Sequence, residues 1–265
     1  MYNLILADLF KLSKSMAMKI LFGITAISSV VMTMFAYLIP QGKLDASMTG
    51  IGFLFSDINI ISILGAVIAG VLICGDFDNK TIHDAIANGC SRSSVIVSKA
   101  IVFCFALAII LFPYVIVTGI ALSTGSEFGM GTVAVAFLNL LTTESGTVFT
   151  AAVIWKLLAV MLTLIIVYMA QLSICIPLAF VLRKPVLVVV INYVISFLSG
   201  QLMALRESSK LFDRIFACTP YGGNYSFLTL DSGTGDLLGA ISVSLIFIIT
   251  MIVITYFAFR KSEIK

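Results

Sequence analysis

The chain has 265 residues, of which 60% are hydrophobic and 11% charged. Charged residues make up roughly a quarter of a soluble domain, so a water-solvated surface is excluded and the chain reads as an integral membrane protein in contact with the lipid bilayer. The net charge of +3 does not indicate a nucleic-acid partner, because the basic residues sit where membrane topology wants them.

In chain order, residues 1–16 read as an amphipathic interfacial helix. Tyr2, Ile5, Leu6, Leu9, Leu12 and Met16 fall on one face and Asn3, Lys11, Lys14 and Ser15 on the other, at helical spacing. Such a helix lies along a membrane surface. About 20 apolar residues are needed to cross the hydrocarbon core, and six stretches qualify: near 17–39, 58–75, 97–122, 153–182, 185–204 and 237–259. They are continuous runs of Leu, Ile, Val, Ala and Phe, not the short alternating strands of a membrane barrel, so the fold class is all-α with six transmembrane helices in a single domain, 1–265. The first run exceeds the roughly 7–15 apolar residues of a signal peptide and is expected to be retained.

Orientation follows from the lysines and arginines of short loops. With the N-terminus inside, the inner segments hold Lys11, Lys14, Lys19, Lys80, Arg92, Lys99, Arg183, Lys184, Arg260, Lys261 and Lys265. The outer ones hold Lys43, Lys156, Arg206, Lys210 and Arg214. Both termini are therefore expected in the cytoplasm. Of the outer connections, the one at 123–152 contains the apolar run Val133–Leu141, long enough to dip into the interface but not to cross. The one at 205–236 carries Arg206, Glu207, Lys210, Asp213 and Arg214, then the turn signal Pro220-Tyr221-Gly222-Gly223-Asn224.

Catalytic and metal sites are not expected. His83 is the single histidine, which rules out a Cys/His metal cluster, and the five cysteines give no disulfide framework. No Gly-rich phosphate loop is present: Gly42-Lys43 is followed by Leu44 and lacks the first glycine. Neither ATP nor any other cofactor is expected to bind this chain, and it is not read as an enzyme.

The segment Gly75–Lys99 is the main polar surface on the inner side. Asp78 or Asn79 is expected to cap a short helix near 76–90, with Ile82, Ala85 and Ile86 as its apolar stripe and Gly89 as the left-handed residue that ends it. Ser91 is expected to cap the third span.

Asp76, Phe77, Thr81, Ile82, Gly89, Ser91, Arg92 and Lys99 form a pattern that resembles the segment between the second and third membrane helices of ATP-binding-cassette permeases of the second exporter class. One departure is Asp76, where many relatives have Glu. The resemblance implies that residues 76–90 are a coupling helix docking into a separate ATPase subunit through Asp76, Phe77, Thr81, Ile82, Ile86, Gly89, Ser91 and Arg92. It further implies that ATP and Mg belong to that partner and that a second permease, identical or homologous, completes the unit. Size and layout are similar to small permeases of bacterial lantibiotic or bacitracin self-protection and peptide export, which implies a cytoplasmic-membrane location and a hydrophobic or amphipathic substrate such as an antimicrobial peptide.

Within the spans, Tyr168, Gln171, Ser173, Asn192 and Ser196 are pathway candidates, because buried polar groups in a membrane are costly unless used or paired. Uncharged groups of this kind also join helices, as do the small-residue seams Ala66-x-x-x-Gly70 and Ser196-x-x-x-Gly200. No Asp, Glu, Lys or Arg falls near the middle of the predicted runs, so the energy for transport is expected from a partner. A non-transporting scaffold and an ion-coupled carrier are the alternatives.

Overall fold

The computed structural model describes residues 2–130, 134–147, 150–204, 210–222 and 225–261; Val133, Arg206, Glu207, Gly223, Asn224 and Lys265 lie outside them. All regular elements among the described residues are helical. Helix α1 (Tyr2–Lys14) precedes the first span, α2 (Met16–Leu38). The second span, Thr49–Asp78, is assembled from α3 (Thr49–Leu54), α4 (Asp57–Ala69), a π-helical turn at Gly70–Cys74 and α5 (Gly75–Asp78). Helix α6 (Thr81–Ala87) leads to the third span, α7 (Arg92–Ser123). After the short α8 (Ala136–Thr143) the fourth span comprises α9 (Ala151–Leu172) and α10 (Cys175–Leu182). Helix α11 (Pro185–Ala204) is the fifth span, α12 (Lys210–Ala217) a short connection and α13 (Thr234–Lys261) the sixth span.

Six described helices are long and apolar enough to cross a membrane, and the chain is an all-helical multi-pass membrane protein. Helix α1 and the end of α13 lie with α5, α6 and the start of α7 at one end, here called the base. The other end, the crown, carries α8 and α12.

Helix packing between apolar surfaces in lipid depends on close approach and on hydrogen bonds rather than on expelling water. Gly70 shows the first: a Cβ there would sit 2.9 Å from Pro185 Cβ, so this half of the Ala66–Gly70 seam lets the second span meet the start of the fifth. Gly200 has open space around it, so the Ser196–Gly200 seam has no partner at Gly200 among the described residues. Helix α7 lies at the centre, with Phe103, Leu107, Ile110, Leu111 and Tyr114 fully buried.

The breaks have local causes. Pro177 has no N–H to give the Ser173 carbonyl, which instead accepts from Ile176 N–H at 3.0 Å, and the fourth span is interrupted there. Pro113 leaves α7 unbroken. The second span begins well before the expected residue 58, because α3 and α4 run on either side of a bend at Phe55–Ser56, held by Asn59 Nδ2 donating to Phe53 O at 2.9 Å and Tyr114 OH donating to Phe55 O at 3.1 Å.

Between the second and third spans the single helix expected over 76–90 is instead two. Lys80 adopts the left-handed conformation (φ 59°) and separates α5 from α6. Neither Asp78 nor Asn79 caps α6; Asn79 Nδ2 donates back to Gly75 O at 2.8 Å. The end of α6 follows expectation. Gly89 has φ +89°, and its N–H and that of Cys90 reach Ile86 O and Ala85 O at 3.0 Å each, the paired bonds of a Schellman motif. Ser91 Oγ accepts from Ser94 N–H at 3.2 Å and caps α7.

Candidate functional site

Two groups of buried polar residues stand out, one at each end. At the base, Lys99 of α7 donates to Asp8 Oδ1 of α1 at 2.7 Å and to Asp76 Oδ2, while Lys11 of α1 donates to Asp76 Oδ1. Asp8, Asp76 and Lys99 are buried, whereas the Lys11 side chain is 48% exposed. Two acids face two bases, so the cluster is neutral as a unit, which is what lets charge persist in a dry site.

Beside it, Phe77, Phe180 and Phe259 meet edge-on, with ring centroids 5.6, 6.0 and 5.2 Å apart pairwise. Arg183 lies 4.8 Å over the Phe77 ring and Arg92 5.4 Å over Phe259. Arg92 Nη1 also donates to Phe259 O at 3.0 Å and Arg260 O at 3.1 Å, satisfying carbonyls at the end of α13. Thr81 Oγ1 donates to Asp76 O at 3.1 Å.

The residues named from the sequence as coupling residues therefore divide. Asp76, Phe77 and Ile82 are buried, Ile86 and Arg92 half-buried, and Thr81, Gly89 and Ser91 exposed. The first group ties the hairpin to α1, α7, α10 and α13. The face left to water is Asp78, Asn79, Lys80, Thr81, Asp84, Asn88, Gly89 and Ser91.

At the crown, Asp57 opens α4 with none of its surface exposed. Its Oδ2 accepts from Tyr168 OH at 2.6 Å and from Phe137 N–H, at the start of α8, at 2.9 Å. Phe137 is stacked between Tyr114 and Tyr168, with centroids 6.4 Å away on each side. Glu144, following the other end of α8, accepts from Leu230 N–H through Oε1 at 2.7 Å. Helix α8 is thus held by a buried acid at each end.

The connection after α12 then descends into the bundle. Gln171 Nε2 donates to Pro220 O at 3.0 Å, Tyr221 OH donates to Gln171 O at 2.6 Å, and the Tyr221 ring meets Phe247 at 6.3 Å. Phe247 is near the midpoint of the 28-residue α13, so the Pro220–Tyr221 turn reaches halfway down the last helix. Burial pushes the Tyr221 phenol above its ordinary value and keeps it a donor.

Of the pathway candidates, Tyr168 bonds Asp57 and Gln171 bonds the descending turn. Ser173 donates to Ala170 O at 2.7 Å, and Asn192 Nδ2 donates to Ser62 O at 2.8 Å, joining the fifth span to the second. Ser196 is half-buried, and its carbonyl accepts from Ser199. These side chains are spread over several helix contacts and do not converge on one cavity.

Sequence reasoning misses Asp8, Asp57 and Glu144. Asp8 carries a signal, as the single acid of α1 beside the bases Lys11 and Lys14. Asp57 stands one residue outside the predicted apolar run, where it reads as part of the loop.

Compared with family models, with curated proteins and with solved structures, the chain matches none of them. What fold and site define is an all-helical membrane bundle with a charge-locked base and an acid-clamped crown.

Proposed function

We propose that this chain is the transmembrane permease subunit of an ATP-driven exporter of the binding-cassette type, powered by a separate ATPase subunit. The observation that carries the reading is the mechanical continuity of the base. Asp76 is bonded to α1 and α7, Phe77 packs on α10 and α13, and Arg92 bonds the end of α13. A push on the polar face of α6 is therefore delivered to the third, fourth and sixth spans together. The excess of Lys and Arg among the base segments supports placing this end in the cytoplasm, where an ATPase would be. The outward stripe Tyr2, Leu6 and Phe10 of α1 is exposed, which suits a helix resting on the membrane face. The apolar spans favour a hydrophobic or amphipathic cargo such as an antimicrobial peptide, and a second permease would complete the path.

Affinity purification of the full chain from its native membrane tests this. An ATPase that co-elutes, and whose hydrolysis responds to candidate peptides, is the expected result. Its consistent absence supports the non-transporting scaffold.

Asp57 favours a second reading. The case for an external energy source rests on the lack of a buried acid in the spans, and Asp57 supplies one. An ion-coupled carrier predicts transport in proteoliposomes that survives without ATP and stops when the ion gradient is collapsed. Exporter function predicts the reverse.

A further inference from the structure

Asp57 differs from the buried acids of the base in having no cation. Asp8 and Asp76 share Lys99, and Asp76 also pairs with Lys11, whereas no ion pair reaches Asp57 among the described residues. Helix α7 brings Tyr114, whose hydroxyl is bound to Phe55 O, and α9 brings Tyr168. Helix α8 brings only backbone amides, and α3, α8, α10 and α11 contain no charged residue. Lys99 of α7 and Lys156 of α9 lie more than two helical turns from Tyr114 and Tyr168, and Lys19 of α2 as far from Ser28, the α2 residue whose side chain bonds Tyr114.

Both hydrogen bonds to the carboxyl use the same oxygen, Oδ2. Oδ1 is buried with no partner. A lone carboxylate in such a place lacks both the counter-charge and the hydration that would hold its charge, and burial favours the neutral form. Two donors and the N-termini of α4 and α8 oppose this. The two hydrogen bonds reach one oxygen and leave the other without a partner.

We propose that Asp57 is a proton-binding site: its carboxyl carries a proton on Oδ1 while α8 is seated, and gives that proton to water when α8 leaves. Unseating α8 removes Phe137 from between Tyr114 and Tyr168 and lets water reach the carboxyl, which then ionises. Because the seated form binds the proton more tightly than the open form, linkage fixes the sign: low pH holds α8 in place and rising pH favours its release. The crown is thus closed by a helix whose docking depends on proton concentration. This holds whether an ATPase or an ion gradient drives the chain, since it concerns only the state of Asp57.

The experiment is infrared spectroscopy of the full-length protein in lipid, with hydrogen exchange of the α8 amides, on wild type, Asp57→Asn and Glu144→Gln. The Asp57→Asn side chain keeps an acceptor for Tyr168 and Phe137 but cannot ionise, and size-exclusion behaviour checks that each variant is folded. The expected result is a protonated-carboxyl C=O band at mildly acidic pH, where free aspartates are ionised, that is present in wild type and Glu144→Gln and lost in Asp57→Asn. As pH rises, protection of residues 137–143, corrected for intrinsic exchange, falls at least tenfold further in wild type than in Asp57→Asn. Absence of an Asp57-dependent acid band, or equal pH dependence of α8 protection in wild type and Asp57→Asn, overturns the proposal. Neither result depends on an ATPase, so the exporter reading fails or stands separately.

Discussion

Lys99 donates to Asp8 Oδ1 at 2.7 Å and, with the same ammonium, to Asp76 Oδ2, so one cation joins the N-terminal helix to the start of the base hairpin. Removing it leaves Asp8 with no ion-pair partner and Asp76 with only the half-exposed Lys11. Breaking a buried ion pair by deleting one partner costs about 3–5 kcal/mol. Lys99→Met is therefore expected to lower stability by that order in equilibrium unfolding in mixed micelles. Lys11→Gln, at the exposed edge, is expected to cost about 1 kcal/mol or less. Equal losses for the two variants would show that the cluster is not organised around Lys99.

Gly89 is the other fixed point of the hairpin. Its φ of +89° lies in the region L side chains rarely adopt. Gly89→Ala is expected to cost about 1 kcal/mol and to loosen the Schellman bonds. Faster hydrogen exchange at position 89 and at Cys90, with little change in α7, is the measurement that checks it.

The contrast between these two sites shows what the sequence can reveal. Gly89 and Ser91 act on neighbours within a few residues, so spacing alone identifies the helix end and the cap. The six spans are legible because membrane crossing demands long continuous apolar runs. Asp8, Asp76 and Lys99 meet only after α1 folds against α7, and no local pattern encodes a contact between positions 8 and 99. Asp57 reads as a loop residue because a helix in water could expose it; only the docking of α8 and Tyr168 makes it interior. The same holds for Pro220-Tyr221, legible as a turn but not as one that descends to Gln171.

Buried and exposed hairpin residues should separate experimentally. Asp76→Ala is expected to destabilise the base, because it leaves Lys11 unpaired and Lys99 with Asp8 alone, and any loss of partner binding would then be indirect. Asp84→Arg changes a side chain exposed to water and is expected to alter stability by no more than about 0.5 kcal/mol. If a motor docks here, Asp84→Arg lowers its capture and its peptide-stimulated hydrolysis at least several-fold while thermal unfolding is unchanged. A variant with normal capture and hydrolysis would move the docking surface elsewhere.

Native cysteines report orientation without mutation. Cys218 is exposed at the crown, Cys90 is half-buried at the base, and Cys74 and Cys175 are buried. With the base in the cytoplasm, a membrane-impermeant maleimide on intact cells is expected to modify Cys218, and Cys90 only after permeabilisation. Mass spectrometry of the labelled peptides reads both. Labelling in the opposite order would invert the chain and remove α6 from the reach of any cytoplasmic ATPase.

The descending turn at the crown depends on small clearances. A Cβ on Gly222 would overlap the Phe216 carbonyl, and backbone cannot yield as a flexible side chain can. Gly222→Ala is therefore expected to displace the Pro220–Tyr221 turn from Gln171 and to expose it to protease at the crown. Tyr221→Phe removes only the 2.6 Å bond to Gln171 O and is expected to cost about 1–2 kcal/mol, with the turn still seated. Limited proteolysis of the 210–232 segment in proteoliposomes distinguishes the two: rapid cleavage in Gly222→Ala and near-normal resistance in Tyr221→Phe. If Gly222→Ala resists protease as wild type does, the turn is held by contacts other than its close approach to Phe216.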